Sequence, residues 1–335
     1  MKKVLVTGSA GFIGFSLSMR LLDRGINVIG VDSITDYYDV CLKRERHNIL
    51  DKNKNFNLYE VDLKNYSQLE EIFKKHNPDI IIHLAAQAGV RHSILEPKNY
   101  IETNIIGSFN LLECIRHYGC KHLLIASTSS VYGSNKKMPY HENDKSDTQL
   151  SLYAATKKSV ESISHSYSHL FDIPTTIFRF FTVYGPWGRP DMAYFSFTKS
   201  ILESKPIDIY NNGNLERDFT YIDDLTKSIE LLIDKIPSHE DDYEDDSLSD
   251  VSKYRIVNIG NSKPVNLMKF IESIEKSLAK KAIKNYVGMQ PGDVEATWSN
   301  SDLLYKLIGY MPNTDLETGV GKFIKWYKEY YQEYI

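Results

Sequence analysis

The chain has 335 residues, 42% of them hydrophobic and 25% charged, which is enough apolar side chain for a sizeable core and excludes wholesale disorder, collagen and coiled coil. Forty basic against forty-four acidic side chains leave a net charge of −4, which gives no electrostatic reason to expect nucleic acid or an anionic membrane as partner. Cys41, Cys114 and Cys120 have no metal-ligand spacing, so no metal is expected, and an odd thiol count favours a reducing compartment. No apolar run approaches the roughly 18 residues of a membrane span. Lys2 and Lys3 before Val4-Leu5-Val6 imitate a signal peptide, but Thr7, Gly8, Ser9 and Gly11 break the run at once. The expectation is a cytoplasmic protein.

In chain order, residues 3–6, 28–31, 58–61, 80–83, 122–126 and 175–180 are short β-branched runs that read as buried strands. Helical spacing fills the intervals at 12–24, 68–75, 100–118 and 152–170. Strand then helix, repeated with right-handed crossovers, predicts an α/β fold with a doubly wound parallel sheet, Rossmann-like, over residues 1–181. Beyond it the rhythm loosens. Residues 184–192 are rich in Gly and Pro and read as a loop leaving the sheet. Helices are expected at 194–203, 225–236, 267–279 and 316–334, with strands at 207–210 and 256–259. This predicts a smaller C-terminal domain over 182–335 that caps a cleft, with part of 217–260 returning to the sheet. The acidic, Ser-containing stretch 238–253 reads as a solvated surface loop.

Gly8, Gly11 and Gly14 lie between the first strand and the first helix. Glycine permits the tight turn, close backbone approach to a pyrophosphate, and close packing of helix on strand. The N–H groups that open the helix, at Phe12 and Ile13, then face phosphate. A second strand ending in Asp32, 18 residues past Gly14, supplies a carboxylate for the adenosine ribose hydroxyls. That charge would repel a 2′-phosphate, so NAD is expected rather than NADP. The alternative for Asp32 is an ordinary strand-end turn residue.

Tyr153 and Lys157 stand four apart, on one helix face. A Tyr titrates near 10, too high for a base at neutral pH, and a nearby cation together with a positive nicotinamide ring would lower it. Lys157 could also hold the nicotinamide ribose. The fifth strand closes with Ser127, Thr128, Ser129 and Ser130, at the end of the sheet where open α/β folds bind ligands. For Ser127 and Ser130 a backbone-capping role is the better reading.

The Gly-x-x-Gly-x-x-Gly spacing resembles the extended short-chain dehydrogenase/reductases. That resemblance gives Asp62 an adenine contact, makes Thr128 the catalytic Ser/Thr, and makes Asn104 a structural amide. For His83 and Asn104, packing and cofactor contact are equally good readings. Sugar-nucleotide dehydratases and decarboxylases carry a carboxylate after this Thr/Ser, where the present chain has Ser129 and Ser130. Four strings, 178–192, 36–39, 86–91 and 217–224, closely resemble the UDP-glucuronate 4-epimerases, and the likeness runs over residues 2–298. It implies removal of the C4 hydrogen to NAD, rotation of the 4-keto sugar and return on the opposite face. It also implies a homodimer and a UDP-sugar bound by Arg217 at the diphosphate and Asp293 at the uridine ribose. A surface pair of Arg217 with Asp218 or Asp223 is the alternative. Gln290 stands where UDP-galactose 4-epimerases carry Arg. Arg189, with Thr182 and Ser129, is expected to hold the uronate carboxylate. The remaining alternatives are a UDP-N-acetylglucosamine or UDP-glucose 4-epimerase, then a sugar-nucleotide dehydratase or decarboxylase.

Overall fold

Alternate residues of each central strand feed opposite cores. Val4 and Val6, Ile80 and Ile82, and Leu124 and Ala126 pack on one side, while Leu5, Ile81, Leu123 and Ile125 pack on the other. A strand buried on both faces must be apolar throughout, which is why these runs were legible. The computed structural model describes residues 2–241, 243–290 and 294–331.

The first elements are β1 (Lys3–Thr7), α1 (Phe12–Asp23), β2 (Asn27–Asp32), α2 (Val40–Asp51), β3 (Phe56–Glu60), α3 (Tyr66–His76) and β4 (Ile80–His83). Short helices α4 (His92–Leu95) and α5 (Pro97–Tyr100) lead through a π-helical segment, Ile101–Gly107, into α6 (Ser108–Tyr118). Then come β5 (His122–Thr128), a 3-10 turn at Ser129–Tyr132, α7 (Leu152–Phe171) and β6 (Thr175–Phe180). The remainder comprises β7 (Thr182–Tyr184), α8 (Ala193–Leu202), β8 (Pro206–Ile209), β9 (Glu216–Tyr221), α9 (Ile222–Leu232) and β10 (Tyr254–Ile259). It ends with β11 (Pro264–Asn266), α10 (Leu267–Leu278), β12 (Ile283–Tyr286), β13 (Ala296–Thr297), α11 (Asp302–Ile308) and α12 (Leu316–Tyr330).

Seven parallel strands form the main sheet in the order β10-β6-β5-β4-β1-β2-β3. The order reverses between β1 and β4, so the loops leaving those two strands part and open a crevice. A second sheet gathers β7, β11 and β13 around β9, and β8 pairs with β12. One apolar core runs without a break from Val4 and Phe15 to Tyr184, Phe219, Phe270 and Phe323. Phe219 and Phe270 stack at 4.1 Å, seating β9 on α10.

Two expectations are corrected, and one helix was missed. Residues 100–118 are not one α-helix. The π-helical segment turns Asn104 inward, where its amide bonds both backbone groups of Gln87 and the Thr156 hydroxyl. The helix α2 was not foreseen, because its buried face is largely polar: Leu42, Lys43, Arg46, His47 and Leu50. The acidic stretch 238–253 is not simply a solvated loop. Asp241 and Asp246 pair with the buried Arg255 of β10, and Ser249 N–H bonds the Tyr254 carbonyl. The stretch covers the edge of the sheet and neutralises a charge inside it.

Removing the partner of a buried cation costs about 3 kcal/mol or more, whereas exposed pairs are worth about 1 kcal/mol at most. Replacing Asp241 and Asp246 together by Asn should therefore lower the melting temperature by several degrees. Glu317→Gln, which breaks the exposed pair with Lys276, should leave it unchanged within error. Equal effects in a thermal melt would refute the assignment.

Candidate active site

The glycine loop is built for close approach. Gly8 has φ +75°, and a Cβ there would stand 2.8 Å from the Ala85 nitrogen across the crevice. A Cβ on Gly14 would stand 2.0 Å from the Gly8 carbonyl oxygen. Gly11 N-caps α1, and no side chain caps that end, so the N–H groups of the first turn, from Phe12 and Ile13 onward, are left for a ligand. Such a cradle fits a pyrophosphate.

Asp32 accepts hydrogen bonds from Ala10 N–H at 2.9 Å and Ile34 N–H at 2.8 Å. The carboxylate thus braces the glycine loop and holds the β-branched Ile34 at φ +47°, a conformation that residue adopts only under constraint. Asp62 accepts from Lys64 N–H at the turn after β3. His83 is a packing residue: its ring bonds Thr7 and Ser108, and burial pushes its pKa down to about 3.

Ser151 caps α7 by accepting from Ala154 N–H, and the next turns carry Tyr153, Lys157 and Glu161 at intervals of four. Thr128, at the end of β5, donates to the Ser130 hydroxyl and accepts from the Ser130 N–H, both at 3.2 Å. Burial raises the Tyr153 phenol pKa, while the Thr128 hydroxyl and the Arg189 charge oppose that rise. Burial pushes Lys157 down to about 8, against the field of Glu161. Glu161 accepts from Ser127 at 2.6 Å, from Lys158 at 3.0 Å and from Arg179 at 3.1 and 2.9 Å.

On the substrate side, Thr128 pairs with Phe180 in register, so Ser129 and Thr182 leave adjacent strand ends together. Arg189 forms a two-pronged bond to Asp191 at 3.0 and 2.6 Å, and Tyr37 donates to the same carboxylate. Burial works against the Arg189 charge, but Asp191 outweighs it and keeps the guanidinium protonated. Arg217 donates to the carbonyls of Glu216, Val294 and Glu295. Asp218 is committed elsewhere: it accepts from the backbone N–H of Asn261, Ser262 and Ser299 and from the Ser299 hydroxyl. Asp293 lies outside the described residues.

A family model, the NAD dependent epimerase/dehydratase family, matches residues 4–260. The chain belongs to this family. It is 50% identical over 99% of its length to Protein CapI of Staphylococcus aureus, covering all of that protein. It is 48% identical to the Probable UDP-glucuronate 4-epimerase of Rhizobium meliloti, over 98% of each chain. Its fold matches that of UDP-glucuronic acid 4-epimerase from Bacillus cereus, solved with UDP-glucuronic acid and NAD. That TM-score is 0.88 at 33% identity, over 98% of this chain and 100% of the other. As a member of this epimerase family the chain uses NAD, and the glycine cradle with Asp32 is where its own residues fit the group.

Sequence reasoning missed three parts of the site: the Glu161–Arg179 pair, the Asp191 partner of Arg189, and Arg46 beneath the glycine loop. A charge inside the apolar strand 175–180 was a readable signal for the first. Asp191, two residues past Arg189, was one for the second.

Lys157 is an ammonium below about pH 8 and loses that charge above it, two or more units earlier than an ordinary lysine. NAD affinity should accordingly fall as pH rises through about 8. Lys157→Met should bind NAD more weakly and without that dependence. A titration in which wild type and variant share one pH profile would remove Lys157 from cofactor binding.

Proposed function

We propose that this chain interconverts UDP-glucuronate and UDP-galacturonate as an NAD-dependent 4-epimerase. The observation that carries the reading is Tyr153 and Lys157 four apart on α7, packed against β5 and its Ser129–Tyr132 turn, in a chain whose full-length relatives bear that name. Tyr153 takes the proton of the C4 hydroxyl and gives it back, and Thr128 orients the phenol and the sugar hydroxyl. Bound NAD supplies the acceptor for the C4 hydrogen, and its positive ring adds to the cationic field beside the phenol. Lys157 binds the nicotinamide ribose, Asp32 the adenosine ribose, and Asp62 the adenine. Arg217, with Asp293, binds the UDP portion.

A dehydratase needs an acid beside Thr128. Ser129 and Ser130 occupy those positions, and the buried carboxylates of Glu161 and Glu142 are already engaged. Glu161 serves Arg179 and Ser127, and Glu142 accepts from Asn258 N–H. That favours epimerisation over elimination.

A 4-keto glucuronate is a β-keto acid and loses CO₂ when its C5–carboxylate bond aligns with the carbonyl π system. Arg189, with Thr182 and Ser129, holds the carboxylate out of that alignment and keeps it charged. We assign the chain to the cytoplasm and to a homodimer. The apolar residues Ile101, Ile106, Phe109, Leu170 and Phe171, exposed on the π-helical segment, α6 and α7, support a paired state.

Product chromatography over a panel of UDP-sugars tests the substrate: preference for UDP-glucose over UDP-glucuronate would sink the uronate assignment. Tyr153→Phe should lose about 10²–10⁴-fold in turnover with NAD and UDP-sugar affinity nearly intact, and near-wild-type rates would exclude Tyr153 as the base. Arg189→Ala should lower epimerisation far more than NAD binding and release a UDP-4-keto-pentose. An Arg189→Ala enzyme that slows without any such product would leave Arg189 a loop brace.

A further inference from the structure

Arg46 of α2 is fully buried, and four of its five guanidinium N–H donors are used. Nη1 donates to the Ala10 carbonyl at 2.7 Å and to the Tyr38 hydroxyl at 2.8 Å. Nη2 donates to the Trp187 carbonyl at 2.6 Å and to the Gly188 carbonyl at 3.1 Å. Ala10 lies inside the glycine cradle, and its N–H is held by Asp32. Trp187 and Gly188 immediately precede Arg189. Trp187 itself is strained at φ +62° and wedged among Phe15, Trp326 and Tyr330 at 5.1–5.3 Å. One planar fork therefore spans the cofactor loop and the loop that carries the substrate-side arginine.

We propose that Arg46 is a positioning residue that locks the 185–192 loop to the glycine cradle, so that Arg189 is placed relative to the cofactor rather than to its own loop. The inference rests on the UDP-glucuronate reading above for the meaning of Arg189, but the strut itself does not. Arginine is required because two separated pairs of oxygens must be met at once by donors fixed in a plane, and a lysine ammonium reaches only one end. The charge of Arg46 has a second consequence. Among the described residues no carboxylate comes within ion-pair distance of it, so its neutralisation falls to the dipoles of three carbonyls and a hydroxyl. A buried positive charge directly behind the phosphate cradle adds to the field that an anionic diphosphate meets.

The test uses the full-length protein and two variants. Arg46→Lys should raise hydrogen exchange at residues 8–11 and 185–192 by tenfold or more, while the amides of β4, β5 and β6 stay as protected as in wild type. Its KM for UDP-glucuronate should rise about tenfold, with kcat changed less than threefold. Tyr38→Phe removes one acceptor and leaves the guanidinium in place, and it should show the same pattern at two- to fivefold. If Arg46→Lys does not fold, Tyr38→Phe decides by the same criteria. Exchange raised evenly across the sheet, or unchanged at 185–192 in a folded variant, overturns the proposal. Should the wild type epimerise a different UDP-sugar, the uronate reading fails, the exchange measurements stand as they are, and KM is read on that sugar.

Discussion

The reversal of strand order between β1 and β4 puts two backbone loops against one another at the carboxyl end of the sheet. Gly8 presses on Ala85 so closely that a single methyl group would not fit. That contact fixes where the turn after β1 lies, hence where α1 begins, hence where its uncapped N–H groups point. Asp32, on the strand beside β1, reaches the same loop through Ala10. Three elements thus converge on a cradle whose shape is set by backbone contact, with side chains tuning its charge.

The catalytic face of α7 depends on a different constraint, the cost of charge in a dry interior. Burial alone would raise Tyr153, lower Lys157 and raise Glu161. Glu161 nevertheless stays ionised, because Arg179, Lys158 and Ser127 all donate to it. Its negative charge then supports the ammonium of Lys157 one turn earlier. The order along the helix is anchor, cation, phenol, with the charge best compensated deepest in the protein and the reactive oxygen nearest the crevice. Interactions between these groups are stronger for lying in a low dielectric, which is the condition under which a modest number of them can govern proton transfer.

Much of this was legible in the sequence, and the reasons are specific. The parallel strands were readable because burial on both faces leaves no polar position to confuse the pattern. The glycine cradle and the Tyr153/Lys157 spacing were readable because their roles depend on neighbours in sequence. The helix α2 was not, since its inward side chains are Lys43, Arg46 and His47, and an apolar periodicity cannot report a polar buried face. The short strands around β9 escaped for the opposite reason. With two or three residues each, β7, β11 and β13 owe their form to pairing with β9, a long-range contact that no local propensity encodes. In the acidic stretch 238–253, composition was seen correctly, but the buried Arg255 that gives the composition its purpose lies beyond the end of the run.

Three buried arginines show how one side chain serves different ends. Arg179 and Arg255 each meet carboxylates, and such pairs contribute fixed geometry more than net stability, since desolvation consumes most of the Coulomb energy. Arg46 meets only carbonyl and hydroxyl oxygens. Leaving a guanidinium unpaired in the interior is costly unless its donors are satisfied, and four of five are. What such a residue adds over a neutral strut is an outward positive field, and it is joined directly to the glycine cradle through the Ala10 carbonyl. The same atoms that join the two loops therefore also charge the surface on which a diphosphate would rest. A neutral side chain lacks both the planar set of donors that the first property needs and the charge that the second needs.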